Sequence, residues 1–122
     1  MDSKKMETFR DLVVWQKSHG LVLDIFKMTQ KFPKKEQASL VPLMREKSTA
    51  LPIQIAHGFN KRGRKPTVHF YRNALNSIEE IRYLIILSHD LGYIKSADAQ
   101  LEECDNIERM LKRLIRSVAS PS

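Results

Sequence analysis

The sequence predicts an all-α protein, an antiparallel up-and-down bundle of four helices. Three observations point there. Apolar residues recur three and four positions apart, the helical period, and β-branched residues nowhere alternate with polar ones over a useful length. Glycine is rare, with 4 in 122 residues, which argues against strands and their turns. Proline and glycine punctuate the chain so that four segments of 20 to 25 residues remain, joined by short links.

The first helix is expected over residues 8–31. Two adjacent apolar stripes run along it, Leu12, Trp15, His19, Val22, Phe26 and Val14, Ser18, Leu21, Ile25, Met28. Together they are wider than one two-helix seam needs, which leaves surface for a neighbouring subunit. Phe32-Pro33 ends the helix, because the residue before proline is pushed out of the α region.

A second helix is expected over 36–60, with Leu40 as an alternative start and Leu40, Leu43, Met44, Leu51, Ile55 and Phe59 as core candidates. Pro42 is tolerated in a first turn, whereas Pro52 is interior and leaves the Ser48 carbonyl without its helical donor. The third helix is expected over 67–91, capped by Thr67 and closed by Gly92, with Phe70, Ala74, Ser77, Ile81, Leu84, Ser88 and Leu91 inward. Its small residues Ala74, Ser77 and Ser88 allow a neighbouring helix to approach closely. The fourth, over 96–118, is capped by Ser96 or Asp98 and carries Ala97, Leu101, Cys104, Ile107, Leu111, Leu114 and Val118 on one side. Acidic residues in its first turns and Lys112, Arg113 and Arg116 in its last match the helix dipole.

A chain of this length fits one domain, and 42% hydrophobic with 29% charged residues is a soluble globular composition. The amino-terminal residues lead into no long apolar run, and the longest aliphatic run, Leu84 to Leu87, cannot cross a bilayer. The single cysteine, Cys104, excludes an internal disulfide and suits a reducing compartment, so the expected location is cytoplasmic.

The net charge of +7 is unevenly placed: residues 1–65 hold 14 Lys or Arg against 6 Asp or Glu, residues 66–122 hold 7 against 8. Four of the five residues from Lys61 to Lys65 are cationic, and no acidic residue lies between Glu46 and Glu79. In an up-and-down bundle Lys4, Lys5, Arg10, the 61–65 cluster, Arg72, Lys112, Arg113 and Arg116 share one end with Asp2, Glu7 and Asp11. The other end mixes Lys31, Lys34, Lys35 and Lys95 with more numerous carboxylates.

The order of several short motifs resembles a known family. These are Phe9-Arg-Asp-Leu-Val-Val-Trp-Gln-Lys, Phe32-Pro33 with Glu36, Arg45 followed by Leu51-Pro52, Ile55-Ala56, Gly58-Phe59 and Arg62, then Ser77 with Glu79 or Glu80, and Asp90-Leu-Gly-Tyr-Ile94. The family is that of the 23S rRNA intervening-sequence proteins, and the resemblance spans residues 8 to 118. Its central signature tends to Gln, Arg, Ala, Ser, Asn and Glu where this chain has Leu43, Glu46, Lys47, Ala50, Gln54 and His57, so apolar positions match while several polar ones depart. The resemblance implies a four-helix bundle in a ring-shaped homo-oligomer, commonly a pentamer, without enzymatic activity. A similar bundle occurs in the accessory variability proteins of diversity-generating retroelements, which bind a reverse transcriptase and nucleic acid.

Three readings of the 61–65 cluster stand: a solvated loop, a contact to a phosphate backbone, or a dock for an acidic protein. Phe59, Tyr71 and His69 are near enough to stack on unpaired bases, although packing explains each as well. Arg45 either pairs with Glu46, Glu79 or Glu80 or contacts phosphate. The histidines at 19, 57, 69 and 89 lack metal-ligand spacing, and there is no glycine-rich phosphate loop, nucleophile elbow or cysteine with a base. The expectation is therefore a non-catalytic protein without cofactor or metal, holding RNA or DNA through Lys61, Arg62, Arg64 and Lys65, with Arg45, Arg72, Lys112, Arg113 and Arg116 as weaker candidates. The alternative is a protein-interaction scaffold, for example an accessory subunit of a reverse transcriptase.

Overall fold

A computed structural model of the chain describes residues 6–119. Four α-helices make up the described chain: α1 (Val13–Gln30), α2 (Leu40–Asn60), α3 (Arg64–Asp90) and α4 (Asp98–Ala119). Single 3₁₀ turns at Phe9–Asp11 and Lys34–Glu36 precede α1 and α2, and there is no strand among the described residues. The packed pairs are α1 with α2, α2 with α3, α3 with α4 and α4 with α1, which is the arrangement of a bundle.

Two boundaries differ from the sequence expectation, and α2 takes the alternative start at Leu40, each for a local reason. At the amino terminus, Thr8 caps the 3₁₀ turn and not a long helix. Its hydroxyl accepts from the Arg10 amide, and the Asp11 carboxylate accepts from the amides of Glu7 and Thr8. Leu12 is then extended (φ −75°, ψ 126°), so α1 begins one residue later. The segment from Lys34 to Ser39 is a turn and not the start of α2, because Gln37 Nε2 donates to the carbonyls of Thr29 and Phe32 and holds the chain against the end of α1. Helix α3 starts at Arg64 and not at Thr67. Gly63, at φ +96°, turns the chain directly into the helix, and Pro66 falls in the first turn, where it forfeits no bond. Thr67 is buried, its hydroxyl 3.5 Å from the Lys61 carbonyl.

The other termini follow the expected chemistry. Ser96 Oγ accepts from the Asp98 amide at the start of α4. Helix α3 ends in a Schellman turn: Gly92, at φ +80°, donates to the His89 carbonyl and Tyr93 to that of Ser88. Tyr93 then packs on Phe32, with ring centroids 5.2 Å apart, and donates its hydroxyl to Glu36 Oε2 at 2.6 Å. That bond holds the Glu36 carboxyl below its usual pKa and raises that of the phenol.

The core is built from Leu21, Ile25, Met44, Leu51, Ile55, Ile78, Ile81, Ile85, Ile107 and Leu111, each worth about 1.5–3 kcal/mol of burial. Ala74, Ser77 and Ser88 are buried as expected, and the two hydroxyls return to carbonyls one turn back, Ser77 to Asn73 and Ser88 to Leu84. Every buried side-chain N or O among the described residues has a partner. Leu43 and Leu91, expected in the core, are exposed. Ile81 and Leu84 are buried as expected, and the buried face of α3 is broader than expected, taking in Tyr71, Ile78 and Ile85, with Phe70 at its margin. Cys104 is fully buried, and burial pushes its thiol pKa up to about 11, so it packs and does not react.

Helix α3 packs closely on α2 at Gly58. A Cβ there would stand 2.5 Å from Tyr71 Cε1 and 3.3 Å from the Thr67 carbonyl, so the buried Tyr71 ring would have to shift. Gly58→Ala is therefore expected to lower stability by about 1–3 kcal/mol despite alanine's better helix propensity. Gly20, in the middle of α1, is the control, since a Cβ added there would meet nothing within 4 Å. Gly20→Ala should raise stability by about 0.5–1 kcal/mol. Thermal melts of the two variants check the opposite signs.

Candidate nucleic-acid interface

The three-residue link between α2 and α3 decides where the cations lie. Lys61 and Arg62 occupy the link, while Arg64 and Lys65 are the first two residues of α3, and all four side chains are exposed. None of them makes an ion pair with another described residue. Gly63, at the cap position, offers no side chain to the free amides of the first turn, and no acidic residue stands in that turn. Two cations at a helix amino terminus oppose its dipole at about 0.3–1 kcal/mol each. The sequence thus assembles a local concentration of positive charge and bare amide donors, the combination that receives anions.

Other candidates gather around this tip to different degrees. Arg64, Lys65, His69 and Arg72 line a hollow of about 400 Å³ together with Val68 and Ala119, the last described residue of α4. A second hollow of about 570 Å³ is lined by Gly58, Phe59, Arg64 and Tyr71 from the α2–α3 hairpin, Met6 and Leu12 from the chain start, and Leu114 and Val118 from α4. A third, of about 300 Å³, brings Arg113 and Leu114 against Leu12, Val13 and Val14. The chain start, the α2–α3 link and the end of α4 therefore share one region, with Arg113 and Arg116 exposed on the last turns of α4. Lys4, Lys5 and Asp2, also expected there, lie outside the described residues.

Lys112 and Arg45 are differently placed. Lys112 Nζ bonds Glu108 Oε2 at 2.8 Å, so its charge is already answered. Arg45 pairs with none of Glu46, Glu79 or Glu80. Its Nε donates to Thr29 Oγ1 at 3.0 Å, its Nη2 to the Phe26 carbonyl at 3.2 Å, and its guanidinium lies 4.6 Å from the Phe26 ring centre. It seals the last turn of α1, roughly 24 Å along α2 from Lys61 at about 1.5 Å per residue. The carboxylates that were expected to hold Arg45 have other partners: Glu80 takes Lys47 at 3.3 Å, and Glu79 takes Arg82.

The aromatic residues also change places. Tyr71 is buried, and Phe59 packs against the core cluster, which Phe70, also half-buried, does not join. Phe70 instead lies at the surface between His57 and His69, with centroid separations of 5.4 and 5.2 Å, and Lys61 Nζ sits 5.0 Å over its ring. The signal missed in the sequence was the pair Phe70-Tyr71: only one of two adjacent aromatics can point inward, and the Gly58 gap selects Tyr71.

Among the described residues no group of three or more His, Cys, Asp or Glu is placed to hold a metal ion, and no helix is long and apolar enough to cross a membrane. A family model described as 23S rRNA-intervening sequence protein matches residues 10–113, most of the chain. No curated protein matches it.

Below the basic region, Arg82 bridges α3 to α4 by bonding Glu108 at 2.7 Å and Asp105 at 3.1 Å in addition to Glu79. Lys112 and Arg82 together hold the Glu108 carboxyl below its usual pKa of 4.5. A depressed folded-state pKa contributes stability that is complete above the unfolded value and is lost as pH falls through the folded one. Glu108→Gln is thus expected to cost about 1–2 kcal/mol at neutral pH, by loss of charge-assisted bonds. In denaturant titrations the difference from the native sequence should shrink once the pH falls below that of an ordinary glutamate.

Proposed function

Because the chain belongs to the 23S rRNA-intervening sequence protein family, we propose that it is a non-catalytic accessory protein of nucleic-acid metabolism that holds RNA or DNA through its basic end. One observation carries this reading. The cations of Lys61 to Lys65 are exposed and make no ion pair among the described residues, while cations elsewhere that touch carboxylates or carbonyls, among them Lys17, Arg45, Lys47, Arg82 and Lys112, serve the fold. A surface that leaves such a cluster unanswered is suited to a phosphate backbone, which repays it by counterion release. Lys61, Arg62, Arg64 and Lys65 contact phosphates, Arg72, Arg113 and Arg116 extend the path, and Lys112 joins only where Glu108 yields it. Arg45 serves the fold alone.

The bundle is read as a single domain, antiparallel and up-and-down. Contacts between α2 and α3 support this, since Met44 with Ser88, Lys47 with Glu80, Gln54 with Asn73 and His57 with Phe70 descend one helix while they climb the other. Copies assemble into a ring-shaped homo-oligomer, a pentamer by family resemblance. The surface for it is apolar: Tyr83, 60% exposed, and Leu43, 41% exposed, flank a hollow of about 420 Å³, and Trp15, Phe26 and Met28 of α1 stay half-buried. A cytoplasmic location fits the single buried thiol.

A second reading is a scaffold whose basic end docks an acidic protein, such as a reverse transcriptase. It is favoured by the apolar hollow of Met6, Leu12, Phe59, Leu114 and Val118 beside the cations, a surface that a polyanion does not need.

Mobility-shift titrations over a salt series test the first reading. Four phosphate contacts give a log–log slope of roughly −3. The Lys61, Arg62, Arg64, Lys65→Glu variant should lose binding, and Arg45→Met should keep the binding while losing stability. Equal binding by the native and charge-reversed proteins, or no binding at low salt, removes the nucleic-acid reading. Light scattering on the same samples should give a mass several times that of one chain, and a monomer removes the ring.

A further inference from the structure

We infer that the ligand of the basic end is single-stranded nucleic acid, and that Phe70, flanked by His57 and His69, is the platform on which an unpaired base stacks. The inference rests on the nucleic-acid reading above and adds the strandedness of the ligand and a base-contacting subsite.

The platform is composed from two helices. His57 comes from the last turn of α2, and His69 and Phe70 from the second turn of α3, with centroid separations of 5.4 and 5.2 Å to Phe70. Both imidazoles are exposed, and Phe70 is half-buried, so its base is anchored while part of the ring reaches solvent. A lone surface phenylalanine is common. Here two exposed imidazoles meet the Phe70 ring edge to face and frame it, which leaves Phe70 itself as the stacking surface.

The ring cluster lies directly beside the cations. On α3, His69 stands one helical turn from Lys65 and nearly one from Arg72, and all three line the same hollow. Phosphates following Arg64, Lys65 and Arg72 would therefore carry their bases toward His69 and Phe70. Lys61 serves both sites. Its ammonium now rests over the Phe70 ring at 5.0 Å, and a long flexible side chain can give up that contact for a phosphate as a base takes its place.

Polar groups suited to a base edge are also present. Asn73 Nδ2 lies 3.4 Å from Gln54 Oε1 and 3.4 Å from His69 Nε2, both long contacts that a base can replace with shorter ones. A duplex cannot use this arrangement, since its bases are already stacked and its grooves require a protruding element. The Phe70 ring, met edge to face by two imidazoles at 79° and 78° and set beside a cationic track, fits the pattern of single-strand recognition.

The test is fluorescence anisotropy with a single-stranded RNA of mixed sequence, its DNA counterpart and the blunt duplex of each, using the native protein, Phe70→Leu and the surface double variant His57→Ala/His69→Ala. The native protein should prefer the single strands. Phe70→Leu should weaken single-strand binding roughly tenfold and leave duplex binding and the salt slope unchanged, since one stacked base is worth about 1–3 kcal/mol. The histidine variant, which touches no core residue, should act in the same direction and covers the case in which Phe70→Leu does not fold. A 2-aminopurine in the single strand should be quenched on binding to the native protein only. Equal affinity for single strand and duplex, with neither variant distinguishing them, overturns the platform while the phosphate reading survives. No binding to any of the four probes removes both.

Discussion

The contact on which the bundle's functional geometry depends is that of Tyr71 with Gly58. Because position 58 has no Cβ, an aromatic ring settles against the α2 backbone, and α2 and α3 lock in one register at the tip of their hairpin. Everything nearby follows from that register. Tyr71 turned inward forces its neighbour Phe70 outward, where it meets His57 one residue before the glycine. The link between the helices is then only three residues long, so four cations are compressed into one turn of link and one turn of helix. Farther along, the same register brings Lys47 to Glu80 and Ser88 to Met44.

The charged residues divide into two populations by what they touch. Arg45 spends its donors on the Phe26 carbonyl and on the Thr29 hydroxyl, tying α2 to the last turns of α1. Arg82 collects Glu79, Asp105 and Glu108 and joins α3 to α4. Burial alone would weaken its charge, but the carboxylates more than offset this and raise its pKa. These cations sit along the sides of the bundle. Those at the tip have no such partners among the described residues, and a bound anion would relieve their mutual repulsion. Stability alone does not account for keeping them.

The helices were legible in the sequence because burial on one face imposes a period, and the period survives local irregularity. Gly92 and Ser96 were legible for a simpler reason: a positive φ and a side-chain cap each demand a short list of residues. What could not be read was rotation by one residue about a helix axis. Phe70 and Tyr71 fit adjacent stripes equally well, as do Leu114 and Ile115, and only the partner helix chooses between them. The α3 start was misplaced because Thr67 is a good cap by type, whereas Gly63 makes a start by backbone conformation alone. The Arg45 partners were misjudged because a carbonyl acceptor on another helix leaves no trace in composition. The cationic tip was visible as a charge run with His69 beside it, but Phe70 and His57 as its companions were not, since their assembly needs residues 57, 61, 69 and 70 from two elements and the link between them.

The tip breaks a rule that α4 obeys. Helix α4 places Asp98 first and Arg116 last, in accord with its dipole, and its chemistry is that of a helix selected for stability. Helix α3 does the reverse, opening on Arg64 and Lys65 with an uncapped amino terminus. A sequence able to order charges along one helix has no physical reason to reverse them on the next unless the reversal is used. Local conflict of this kind is expected where a site is held ready for a ligand. The departure at His57 from the glutamate of the family pattern acts in the same sense, since a carboxylate beside Phe70 would repel the polyanion that the neighbouring cations attract. Phosphates at the α3 terminus would satisfy the bare amides, the dipole and the cations together, which a solvated loop cannot do.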